Sequence, residues 1–193
     1  MRKGTVCILA GLALLLAAAG LAGYNLWDAA RADRASEAIL AELSIPEPDP
    51  EAIPDYQLDP SRELPVETVD GWDCVGVLAI PALDLTLPVI GEWSYPALRQ
   101  APCRYTGSAY TDDMTIAAHN YARHFGHLTA LRPGDAVTFT DLDGNVFRYA
   151  VAETETLQPT DIQEMTAGDW PLTLFTCTKG GQYRVTVRCE KSE

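Results

Sequence analysis

The stretch from Gly4 to Trp27 contains no charged side chain, is dominated by Leu and Ala, and directly follows Arg2 and Lys3. As a helix rising ~1.5 Å per residue, it is long enough to cross a hydrocarbon core of ~30 Å. Tyr24 and Trp27 close it with the aromatic pair expected at a membrane–water interface. Ala17, Ala18 and Ala19 would suit a signal peptidase, but the apolar run exceeds the ~7–15 residues of a cleaved signal's core. Residues 1–27 therefore read as an uncleaved signal anchor. Cleaved or not, the segment exports the remainder of the chain, which implies a single-pass protein of the cell membrane with its folded part outside.

Export changes how the cysteines are read, because an oxidising exterior permits disulfides. Cys7 belongs to the anchor, leaving Cys74, Cys103, Cys177 and Cys189 for the folded part, and none has the CxxC spacing of a metal site. A Cys74–Cys103 bridge is open, with buried free thiols the plainer reading for Cys74 and Cys189. The formal net charge of −13 excludes nucleic acid as a partner and argues against an anionic lipid surface, since the basic patch both need is absent.

Composition divides the chain beyond the anchor. Residues 28–67 begin with an amphipathic helix over 30–43, its apolar stripe drawn through Ala38, Ile39, Glu42 and Leu43. The segment 45–66 then turns proline-rich and acidic, a composition that cannot fold alone and favours extended geometry. It reads as a spacer holding the next domain off the bilayer; a pseudosubstrate lid is the rival reading. Residues 68–193 form the domain, with short aliphatic or β-branched runs at 75–80, 85–90, 114–119, 136–140, 145–152, 171–177 and 182–189. Phe125, Leu128 and Leu131 suggest a short helix over 123–131, Asp143-Gly144 marks a hairpin, and 157–169 is a polar loop with a helical turn. The expected fold is mainly β: a closed or nearly closed barrel of about eight strands with one or two short helices, behind a transmembrane helix.

Chemistry concentrates in the last hairpin. If the chain folds back across Gly180-Gly181, Cys177 lies opposite Arg184 on the face shared with Thr173, Phe175, Thr186 and Arg188. Arg188, about 13 Å further along at ~3.4 Å per residue, is the poorer partner. A guanidinium beside a thiol favours the nucleophilic thiolate, and since it does not titrate, its work is to hold a carbonyl or oxyanion. His119, ending a strand just before Asn120, supplies an imidazole at the barrel rim for proton transfer.

Together these residues resemble the sortase family. Thr173-Leu-Phe-Thr-Cys177 is similar to its TLxTC motif, Ala118-His119-Asn120 to its strand-end histidine, and Arg184-Val-Thr-Val to its strand-initial arginine. Gly76-Val-Leu-Ala-Ile-Pro81 and Leu85-Thr-Leu-Pro-Val89 resemble the barrel's opening strands. The resemblance implies a cysteine transpeptidase on a Gram-positive-type cell surface, with Cys177, His119 and Arg184 catalytic and Thr176 and Asn120 in substrate or oxyanion support. Its partners would be proteins bearing an LPxTG-like sorting signal, and an amine acceptor such as a lipid II or peptidoglycan stem peptide or a pilin lysine. No cofactor is required and no metal ligand set is assigned. The acidic loop 160–169 leaves calcium (Ca2+) as the one cation to consider. A zinc site on His119, His124 and His127 has poor spacing, and a papain-like protease would place Cys ahead of His on a helix. A non-catalytic peptide-binding barrel is the remaining alternative.

Overall fold

The computed structural model describes residues 3–47 and 53–192. Helix α1 (Lys3–Glu42) is continuous for 40 residues, so the expected anchor and amphipathic helix are one element. No proline interrupts the run, and the helix stops just before Ser44-Ile45-Pro46, where the residue preceding proline is pushed out of the helical region. Its N-terminal part is apolar enough to cross a membrane, and none of the most apolar window is buried against the protein. Further along, Ala32, Ser36 and Ile39 are buried, a stripe at helical spacing. The expected stripe is corrected here: Ala38 and Glu42 are exposed, because the barrel meets the helix one face over.

The segment expected to act as a spacer lies back against the barrel. Around helix α2 (Asp55–Leu58), Tyr56 stacks on Tyr110 with ring centroids 4.9 Å apart and meets Phe147 at 5.1 Å, while Leu64 is buried. Arg62 pairs with Asp55 at 3.0 Å and reaches Asp143 at 3.6 Å. The composition cannot build a core of its own, but one aromatic and one leucine suffice to strap it onto an existing one. Residues 48–52 of this segment lie outside the described residues.

Among the described residues nine strands form the domain: β1 (Glu67–Val69), β2 (Trp72–Ile80), β3 (Leu85–Ile90), β4 (Cys103–Thr106), β5 (Met114–Ala117), β6 (Ala136–Asp141), β7 (Val146–Leu157), β8 (Leu172–Cys177) and β9 (Arg184–Lys191). Short helices α3 (Tyr95–Leu98) and α4 (Ile162–Met165) sit in the connections. The sheet order is β1-β2-β3-β4-β5-β8-β9-β7-β6, and β6 returns to pair with β2. Strands β2 to β9 therefore close a barrel of eight, with the three-residue β1 as an added edge. Instead of the expected helix over 123–131 there are turns and a single 3-10 turn at Leu128–Ala130. Phe125, Leu128 and Leu131 are buried all the same.

Two apolar clusters result from the alternation of each strand. Leu78, Ile116, Phe139, Leu174 and Val187 belong to the barrel core. Outside it, Ile39 of α1 joins Cys74, Ile90, Cys103, Ala117, Met165 and Phe175. This second cluster seals α1 to the barrel; burying Ile39 alone contributes roughly 1.5–3 kcal/mol. Cys74, Cys103 and Cys189 are buried free thiols, and burial pushes them up to about 11, about 12 and about 12. Cys74 and Cys103 both pair with Ile90, so a strand separates them by about 10 Å at ~4.8 Å per strand, beyond disulfide reach.

Barrel closure depends on Gly76, paired with Asp141. A Cβ there would lie 2.3 Å from the Thr140 carbonyl oxygen and 2.7 Å from the Phe139 ring. Gly76→Ala is expected to destabilise the domain by about 1–3 kcal/mol or more, because β2 and β6 must separate. A urea midpoint equal to that of the parent would show that closure tolerates a side chain.

Candidate active site

Cys177 is the last residue of β8 and pairs with Arg184, the first of β9. The connection is tight: Thr178 N donates to Tyr183 O at 3.0 Å and Gly181 N to Thr178 O at 2.8 Å. Gly180 and Gly181 take φ of +93° and +75°, a region costly for other residues. The strand β5 runs parallel to β8 with Met114 against Leu172 and Ala117 against Phe175, and Ala118 N continues the ladder to Phe175 O at 3.2 Å. Carried two residues further, this register sets His119 beside Cys177. The imidazole, thiol and guanidinium thus occupy one rung across three adjacent strands, on one face.

All three line a single groove of about 290 Å³, walled by Tyr105, Phe175 and Met165. Each is half-buried. Burial is the largest influence on His119 and lowers its pKa, so the neutral ring is favoured; Asp28 opposes this and Arg99 adds to it. Arg184 donates through Nη1 to the Gly181 and Tyr183 carbonyls, both at 3.2 Å, which fixes the guanidinium, while among the described residues Nε and Nη2 have no hydrogen-bond partner. Among the described residues no carboxylate pairs with it. Arg188 is different: its Nε lies 2.6 Å from Glu155 Oε1, and it is committed to structure.

The two supporting residues have local partners. Thr176 is buried and its hydroxyl donates to Ala118 O at 2.8 Å, tying β8 to the end of β5. Asn120 Nδ2 donates to Thr178 O at 3.4 Å. Asn120 lines a separate pocket of about 190 Å³, which reaches Cys177 and Thr176 alongside Gly126 and Lys179. A larger open depression of about 550 Å³ adjoins the main groove at Trp93 and Tyr105 but touches none of the three central side chains. Among the described residues no group of three or more His, Cys, Asp or Glu could hold a metal ion. His124 is buried, pushed down to about 4 by that burial, and His127 is exposed.

Sequence reasoning passed over the aromatic rim. Trp93 meets Tyr95 at 5.1 Å and Tyr105 at 5.5 Å, and Tyr105 meets Phe175 at 5.3 Å, a chain of edge-on contacts leading to the strand of Cys177. The available signal was three aromatics within thirteen positions, Trp93, Tyr95 and Tyr105.

Fold and groove define a closed β-barrel carrying a thiol, an imidazole and a guanidinium side by side at its rim. The sequence matches the sortase domain profile over residues 78–192, and the chain belongs to the sortase family. No curated protein matches it significantly. Among solved structures it is similar to the Clostridium perfringens Sortase D5 transpeptidase, with 17% identity and TM-score 0.60, covering 85% of this chain and 99% of that one. Listeria monocytogenes sortase A has 24% identity and TM-score 0.55, over 62% and 88%. The pilus-related Sortase C of Group B Streptococcus has 18% identity and TM-score 0.55, over 70% and 78%. At these identities the likeness establishes the fold.

Proposed function

We propose that this sortase is a membrane-anchored cysteine transpeptidase facing the cell exterior, which cleaves an LPxTG-like sorting signal and transfers the protein to an amine. The observation carrying this reading is the shared rung of His119, Cys177 and Arg184 in one groove. The neutral His119 ring takes the Cys177 thiol proton, and the thiolate attacks the threonine carbonyl carbon of the Thr–Gly bond. The tetrahedral oxyanion is met by the free edge of Arg184, and His119 gives a proton to the departing glycine amine as the C–N bond breaks. This leaves a thioester on Cys177. An acceptor amine then attacks the same carbonyl, His119 removes its proton, and the thiolate leaves as the new amide forms. A bound amine has a high effective concentration, so transfer outruns hydrolysis. The acceptor is a cell-wall stem peptide or a pilin lysine, and the chemistry draws on no metal.

The test is mass spectrometry of purified full-length protein incubated with a library of sorting peptides and several amines. A thioester adduct on Cys177 and amine-joined peptide are expected. If neither forms from any library member, the transpeptidase reading is wrong and a peptide-binding barrel replaces it.

A further inference from the structure

The imidazole of the groove has a neighbour that the anchor helix controls. Tyr121 OH donates to Asp28 Oδ2 at 2.5 Å, and the Tyr121 ring lies 4.9 Å from the His119 ring, tilted by 42°. The same tyrosine meets the buried His124 edge-on at 5.6 Å. Asp28 is held from its other oxygen by Arg31 at 3.2 Å, and Arg31 Nη2 reaches the Arg99 carbonyl at 3.3 Å. This is the first turn beyond Trp27, where the apolar run ends and α1 begins to dock.

We propose that Asp28 and Tyr121 form a positioning pair for His119, making the docked anchor helix part of the active site as well as its tether. The proposal rests on the transpeptidase reading above. An imidazole that must give a proton to one amine and take one from another needs a fixed ring plane, since misplacement by about 1 Å can cost ~10²-fold. The Tyr121 ring packs against that plane, and its own rotation is fixed by the hydroxyl's bond to Asp28. Burial and the Asp28 contact push the Tyr121 phenol up to about 12, so it remains a donor throughout the working range.

Charge acts in the same direction. The groups around His119 are Asp28 and Arg31 from α1, Arg99 after α3, Tyr121 and His124 on its own segment, and Cys177 and Arg184 across the groove. Burial lowers the His119 pKa most, Asp28 raises it and Arg99 lowers it. Neutralising Asp28 removes the one raising influence, so His119 holds its proton less tightly, and the acid limb of the rate profile moves to lower pH.

The experiment uses the full-length chain in nanodiscs, as parent, Asp28→Asn, Tyr121→Phe, the double variant, and Asp33→Asn. The last breaks another contact of the same helix, the 3.4 Å pair with Arg123, without reaching His119. With three histidines in the chain, NMR of histidine-labelled protein follows His119 independently of turnover. Asp28→Asn is expected to lower the His119 titration midpoint. Tyr121→Phe is expected to reduce kcat roughly tenfold with KM little changed, a fraction of the ~10²–10⁴ that a general acid contributes. The double variant is expected to be no worse than the poorer single one. A His119 midpoint unmoved by Asp28→Asn, or losses in kcat that simply add, would overturn the pairing. Should the parent join no peptide, the transpeptidase reading falls while the titration still judges the coupling.

Discussion

Cys177→Ala is expected to abolish both adduct and joined peptide, whereas Arg184→Ala is expected to keep an alkylatable thiol and lose about 10²–10³-fold in turnover. The two failures differ because the residues meet different parts of the reaction. Without sulfur there is no covalent intermediate. Without the guanidinium the thiolate still attacks, but the oxyanion loses a preorganised donor, whose removal elsewhere costs ~10²–10³ in kcat. Arg184 is suited to this by its attachment: Nη1 is spent on two loop carbonyls at 3.2 Å, so the guanidinium of a groove-lining residue is already restrained before substrate arrives. Arg184→Lys should recover only part of the loss, because an ammonium lacks the planar fork that satisfies carbonyls and substrate together. Steady-state kinetics with one peptide and one amine, alongside iodoacetamide labelling of Cys177, measures both. Parent-like turnover in Arg184→Ala would remove Arg184 from the mechanism.

The hairpin carrying this pair was legible in the sequence because a glycine turn of fixed length determines antiparallel register. Cys177 opposite Arg184 follows from counting across Gly180-Gly181. The place of His119 was legible only as a strand end. Its register with Cys177 comes from a parallel pairing of β5 and β8 across 58 positions of chain, which no local pattern encodes. The continuous α1 was missed for the opposite reason. Composition changes sharply at Asp28, yet no residue there interrupts helical geometry. The helix expected over 123–131 shows how spacing misleads. Phe125, Leu128 and Leu131 satisfy a helical period, but Gly126 sits where a Cβ would lie 2.7 Å from the carbonyl oxygens of Asn120 and Tyr121. The chain turns tightly there and buries the same three side chains from a loop. The strap at Tyr56 and the Asp28–Tyr121 contact, 93 positions apart, depend on surfaces that exist only after the barrel has closed.

Glu155→Ala is expected to destabilise the domain by about 3–5 kcal/mol, because it strands the buried Arg188 guanidinium. Only 4% of that side chain is exposed. Its Nε donates to Glu155 at 2.6 Å, Nη1 to Met165 O and Thr173 Oγ1, both at 3.1 Å, and Nη2 to Glu164 O at 2.8 Å. The carboxylate is the charge that balances it. Replacing both partners by apolar residues, Arg188→Met with Glu155→Leu, should cost far less, since the desolvation of two ions is then avoided. The double variant separates stability from function. Arg188 holds the Glu164 and Met165 carbonyls of α4, and Met165 forms a wall of the groove beside Cys177. Freed from that clamp, the wall loses its fixed position, so KM for the sorting peptide should rise while Cys177 alkylation stays unchanged. Urea unfolding of the full-length protein in detergent reads the first effect, and peptide kinetics the second. A Glu155→Ala midpoint within error of the parent would mean that the Arg188 charge needs no carboxylate to balance it.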